Sequence, residues 1–154
     1  MSDLVAFVTK IVEAEGPVHE DRVARALAAC FGIARSGAQV RARALSVIAQ
    51  GVRIGTLQQR DKFLWLRSMA ESPFRVSGPR GIQEVATEEI AAGLTSHLQA
   101  AFALSRADLI TGAAREFGYD RTGSHVSAGI GRVIDALIAD GTLIDVGGQI
   151  SRRA

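Results

Sequence analysis

Cysteine, proline and aromatic residues are all scarce in this chain of 154 residues. The single cysteine, Cys30, excludes an internal disulfide and a metal site made of cysteines alone. Aromatic residues make up only 5% while hydrophobic residues reach 47%, so the core material is Ala, Val, Ile and Leu, which suits small helices packed closely. No apolar run approaches the roughly 18 residues needed to span a bilayer. The start, Met1-Ser2-Asp3-Leu4, lacks the basic region and cleavage site of a signal peptide. A cytoplasmic protein with no membrane contact is expected. The sequence also lacks a nucleophile–base pair, a metal-ligand cluster and a Gly-rich phosphate loop. The expectation is therefore a protein that is not an enzyme, with no catalytic residues, no metal and no cofactor.

What is present is a repeated stretch. Phe31-Gly32-Ile33-Ala34-Arg35-Ser36-Gly37 returns 86 positions later as Phe117-Gly118-Tyr119-Asp120-Arg121-Thr122-Gly123. The same offset pairs Val47-Ile48 with Val133-Ile134, and Gly55-Thr56-Leu57 with Gly141-Thr142-Leu143. An ungapped match of this length implies two copies of one small module.

Helical periodicity fills in the first copy. Leu4, Val8, Ile11 and Val12 form one face of a first helix, which Gly16-Pro17 ends. A second helix runs from about Glu20 to Phe31 and buries Val23, Leu27, Cys30 and Phe31, with Gly32 as a left-handed C-cap. Ser36 is expected to cap a third helix, with Gln39 in capping-box spacing. That helix buries Val40, Ala44, Val47, Ile48 and Val52. Thr56-Leu57-Gln58 and Phe63-Leu64-Trp65-Leu66 read as a hairpin.

The second copy follows the same plan. Its first helix buries Ile90, Leu94 and Leu98, and Ser105 opens the next, which buries Leu109, Ile110, Ala113 and Phe117. Thr122 is expected to cap the last helix. The predicted fold is mainly α with small β-hairpins, arranged as two tandem winged helix-turn-helix modules. Module 1 spans 1–67, a linker with two of the three prolines spans 68–86, and module 2 spans 87–154.

Ile11-Val12-Glu13-Ala14-Glu15-Gly16-Pro17-Val18-His19-Glu20-Asp21, together with Phe31-Gly32-Ile33-Ala34-Arg35-Ser36-Gly37, resembles an uncharacterised bacterial domain family. Its members close large proteins that combine a superfamily-1-like helicase with a restriction-endonuclease-like nuclease. The resemblance covers roughly residues 8–57, and Phe117 to Leu143 in the second copy. It implies an accessory piece of a DNA-processing or defence protein. It transfers no catalytic residue.

Charge separates the copies. Residues 1–70 hold ten Lys/Arg against six Asp/Glu, whereas residues 87–154 hold six against eight. Sixteen of the eighteen basic residues are arginine, whose planar fork of donors suits phosphates and guanine edges. In a helix-turn-helix the second helix of the motif, here the third of the module, enters the major groove. Its exposed side should carry Gln39, Arg41 and Arg43, with Arg35 and Ser36 at its start and Arg60 and Lys62 at the wing tip. These residues and Arg121 in module 2 form the expected contact set for double-stranded DNA. Ordinary solvated charge is the simpler reading of each arginine taken alone. Module 2 has Ser127 and Gly129 in place of Arg41 and Arg43, and Gly147-Gly148 at its wing tip. It is expected to meet a helicase or nuclease partner, or a second copy of the chain. His19-Glu20-Asp21 suggests a metal or acid–base cluster, but polar capping at an exposed helix start is the stronger reading. Cys30 is expected in the core, His97 as a partly buried packing residue, and Trp65 as the residue packing the hairpin onto a helix.

Overall fold

The computed structural model describes residues 2–33, 37–76, 78 and 80–153. The chain divides into two compact units, Met1–Ser72 and Pro73–Ala154. Among the described residues it is mainly helical, with six α-helices and two small antiparallel sheets.

In unit 1, α1 (Ser2–Glu15) presents Val5, Val8 and Val12 to the core at helical spacing. It ends at Gly16-Pro17, and β1 (Val18–His19) follows. Helix α2 (Glu20–Cys30) buries Val23, Ala24, Leu27 and Ala28. Its end is a Schellman turn. Gly32, at φ 67°, gives its N–H to the Ala29 carbonyl, and Ile33 gives its own to that of Ala28. Helix α3 (Ala38–Arg53) buries Ala44, Val47 and Ile48. Strands β2 (Leu57–Arg60) and β3 (Phe63–Leu66) form a hairpin, and β1 adds to β3, giving the order β1-β3-β2. Leu57 and Leu64 close the core from the sheet.

Unit 2 has the same elements in the same order. They are α4 (Thr87–Ala101), β4 (Ala103–Ser105), α5 (Arg106–Glu116), α6 (Ser124–Ala139), β5 (Leu143–Val146) and β6 (Gln149–Arg152). Helices α5 and α6 and strands β5 and β6 each begin and end 86 residues after α2, α3, β2 and β3. The strand order β4-β6-β5 and its register carry the same offset: Val18 faces Leu64, and Leu104 faces Ile150. Ser105 caps α5 as expected, accepting the Asp108 N–H at 3.2 Å and donating its own hydroxyl to the Asp108 carboxylate at 2.6 Å. Gly118, at φ 84°, closes α5 with a second Schellman turn, completed by the Tyr119 N–H on the Ala114 carbonyl.

Several expectations are corrected. The boundary between units cuts the expected 68–86 linker, and its later part is core. Ile82 and Val85 are buried in the unit 2 core, and Phe74 packs against the same core at Phe117. Arg75 and Arg80 reach the fully buried Glu89 at 3.1 and 2.9 Å. The N-cap of α6 is Gly123 rather than Thr122, and no side chain caps that end. The corresponding cap of α3 is Gly37, while Ser36 and Arg35 lie outside the described residues. Cys30 is exposed. The buried stripe of α2 follows 20, 23, 24, 27 and 28, which turns position 30 toward solvent. Phe31 is 62% exposed, although its counterpart Phe117 is fully buried. The difference lies on the first helix of each unit. Gly93 leaves room for the Phe117 ring, since a Cβ there would stand 2.8 Å from Phe117 Cζ. Helix α1 carries the half-buried Phe7, not a glycine, at that position.

Candidate functional site

The expected contact residues of unit 1 fall into two groups. Arg41, in the first turn of α3, faces the start of α2. Its Nε donates to Asp21 Oδ1 at 2.9 Å and its Nη2 to Glu20 Oε1 at 3.2 Å. The second oxygen of Glu20 accepts from Gln59 of β2 at 3.1 Å, and the Glu20 backbone N–H donates to the Lys62 carbonyl at 2.8 Å. His19 caps α2 by accepting the Asp21 N–H at 3.2 Å, and its ring meets the edge of Phe63 at 5.2 Å. The His19-Glu20-Asp21 cluster therefore caps its helix as expected, but not at an exposed start. His19 and Glu20 are buried, because the hairpin turn folds over them.

The electrostatics follow the bonding. The Arg41 hydrogen bond holds the Asp21 carboxyl below the usual carboxylate range, and the same bond raises the Arg41 guanidinium. Arg41 thus fastens α3 to the start of α2, and Glu20 ties that start to the hairpin. Arg60 lies over the Trp65 ring at 4.3 Å from its centroid, and its Nη2 reaches Gln58 at 3.4 Å. Trp65 itself is buried, so its ring packs the hairpin. Lys62 is exposed at the hairpin turn, where Asp61 takes a positive φ of 52°.

Gln39 and Arg43 form the second group. Both are exposed on α3, and both border an apolar groove of about 200 Å³ that is also lined by Leu4, Phe31, Ile33 and Val40. Neither helix periodicity nor the repeat pointed to this groove. The only signal for it in the sequence is the apolar pair Phe31 and Ile33 beside a helix end.

Unit 2 reverses the charge at the start of its middle helix and pairs it with a different position of the last helix, since Ser127 stands where unit 1 has Arg41. Arg106, at the place of Glu20, donates to both oxygens of Asp135 on α6 at 2.6 and 3.0 Å and to the Gly131 carbonyl at 3.1 Å. Asp135 is held below the usual carboxylate range by that bond. The acid now sits on the last helix and the base on the middle one. Arg121 is exposed in the turn before α6. His97, mostly buried, pairs with Glu116 at 2.6 Å and lies against Gly112, consistent with a packing residue.

Among the described residues no helix is long and apolar enough to cross a membrane, and no group of three or more His, Cys, Asp or Glu is arranged to hold a metal. A family described as "Protein of unknown function (DUF3320)" matches residues 1–42, from α1 into the first turn of α3. No curated protein and no solved structure matches the chain.

Proposed function

We propose that unit 1 is a winged helix-turn-helix that binds double-stranded DNA, and that the chain is a non-catalytic accessory module of a helicase–nuclease type DNA-processing or defence protein. The observation that carries the reading is a set of exposed cations on two elements. Arg43 stands on the open face of α3 with Gln39 and Ser46, and Arg60 and Lys62 stand at the hairpin turn. In a winged helix these two elements address the major groove and the backbone beside it. Arg41 acts one step back, holding α3 against α2 through Asp21 and Glu20. The positions of Arg43, Arg60 and Lys62 carry Gly129, Val146 and Gly148 in unit 2, so the cationic surface belongs to unit 1.

Fluorescence anisotropy of a labelled duplex across a salt series tests this. Affinity should fall steeply with salt as counterions are released. Arg43→Ala with Lys62→Ala should weaken binding and make the slope of log K against log salt shallower by about 1.8, at about 0.9 per phosphate contact. No binding at low salt, or an unchanged slope in the double variant, refutes the reading.

A second reading concerns unit 2. Its outer sheet face exposes Ile144 and Val146 on β5, and Phe102 projects at 84% exposure beside β4. Apolar side chains left on an edge strand suit a protein partner, either the helicase or nuclease or a second copy. Light scattering showing a monomer, with no capture of the cognate helicase, refutes this second role.

A further inference from the structure

The outward side of α3 is chemically unlike its edges. Gln39, Ala42, Ser46 and Ala49 recur at three- and four-residue spacing, so they form one row along the helix, and all four are exposed. The buried positions Ala44, Val47 and Ile48 lie on the opposite side. The arginines of the first two turns stand at the edges of the row. At one edge Arg41 is held by Asp21 and Glu20 of α2. At the other, Arg43 lies beside Leu4 and Phe31. The row itself is uncharged until Arg53, which stands in the last turn of α3, about four turns from Gln39.

In the duplex reading of unit 1, this row faces the floor of the major groove and its edges face the phosphates on either side. Side chains on the row then meet the base edges, and their types narrow the choice of base. Guanine is read by Arg or Lys, and neither stands on the row where the helix enters the groove. Cytosine is read by Asp or Glu, and α3 contains no acid. Gln39 is the side chain suited to a bidentate contact, donating to adenine N7 and accepting from the N6 amino group. Among the described residues its amide makes no hydrogen bond. Ala42, three residues on, offers a methyl group that can pack on the methyl of thymine.

Unit 2 does not repeat this row. By the common offset of 86, its positions hold His125, Ala128, Arg132 and Asp135, and Asp135 is bound to Arg106.

We infer that unit 1 prefers A·T base pairs, with Gln39 on the major-groove edge of an adenine and Ala42 against the methyl of a thymine. The inference rests on duplex binding by unit 1 and adds which base pairs that duplex carries. A bidentate contact of this kind favours the right base over the wrong one by roughly fivefold to a hundredfold. The cations at the edges and at the hairpin turn hold the phosphates and set the salt dependence without choosing the sequence.

The test measures fluorescence anisotropy of the full chain with labelled duplexes that differ only in a central block of A·T or of G·C pairs. A further duplex carries 7-deazaadenine in the A·T block, which replaces N7 by C–H and leaves base pairing and the minor groove unchanged. The expected result is at least about fivefold tighter binding of the A·T duplex, with most of that margin lost to 7-deazaadenine. Gln39→Ala should bind the A·T duplex and its 7-deaza form equally, with the salt slope of the wild type. Gln39 is exposed and alanine favours helix, so that variant retains the fold. Equal affinity for the A·T and G·C duplexes overturns the inference and leaves duplex binding by unit 1 standing. An A·T preference that survives both 7-deazaadenine and Gln39→Ala also overturns it, because groove width or duplex stiffness is then its source. Binding to no duplex at low salt overturns the duplex reading itself, and the inference with it.

Discussion

The pair Phe31 and Phe117 offers a sharp test of how neighbours decide what a repeated residue does. Phe117 is fully buried, held between Gly93 and Phe74, whereas Phe31 is 62% exposed. Phe117→Ala removes a whole ring from the core and leaves a cavity, at a cost of about 3–5 kcal/mol. Phe31→Ala removes a ring still largely in water, so the cost should be under about 1 kcal/mol. With a urea m-value of about 1 kcal/mol per M for a unit of this size, the first change lowers the midpoint by about 3 M or abolishes folding of unit 2. The second should move it by less than about 1 M. The chain supplies its own reporters, because its single tryptophan, Trp65, lies in unit 1 and its single tyrosine, Tyr119, in unit 2. Urea titrations followed by tyrosine emission for Phe117→Ala and tryptophan emission for Phe31→Ala read the two costs. Gly93→Ala should also destabilise unit 2, since the added Cβ would stand 2.9 Å from the Phe74 ring as well. Equal losses for the two phenylalanine variants would refute the account, because the repeat alone would then be setting the energetics.

Two further outcomes follow from the charges. Asp21 is held below its ordinary value of 3.8 in the folded state, so the stability it contributes is complete above that value and is lost as pH falls through the lower folded value. Thermal unfolding of wild type and Arg41→Gln should therefore differ at neutral pH and converge in acid; a gap independent of pH would rule out the Asp21 bond as its source. Glu89 is fully buried between Arg75 and Arg80, and Glu89→Ala should cost unit 2 on the order of 3–5 kcal/mol in urea unfolding. A cost below about 1 kcal/mol would mean that the pair carries no more weight than a surface bridge.

Much of the backbone plan could be read from the residues. The apolar spacing of Ile90, Leu94 and Leu98 marked the core face of α4, and Gly32 marked the left-handed end of α2. Ser105 marked its helix start because the side chain acts on its own backbone neighbourhood. What could not be read depended on distant partners. Cys30 and Phe31 sit among apolar residues, yet one falls off the buried phase and the other lacks the glycine that Gly93 supplies to its counterpart, having Phe7 at that position. Glu89 stands in the first turn of α4, where acids are common at the surface, and only Arg75 and Arg80, nine or more residues earlier, explain its burial. Arg41 looked like a residue reaching outward. Its partners are twenty positions back, at a distance along the chain where helical periodicity says nothing.

The two ion-pair clasps have a consequence for folding. Two units with the same helices in one chain can exchange partners while they form, a known route to misassembly in tandem domains. If α2 met α6, Glu20 would find Ser127 at the place of Arg41. If α5 met α3, Arg106 would find Ala49 at the place of Asp135. Either crossing leaves the charge at the start of the middle helix without its native partner, and only the native pairings bring the clasped opposite charges into contact. The placing of each clasp thus gives each middle helix a means of distinguishing its own partner from the copy.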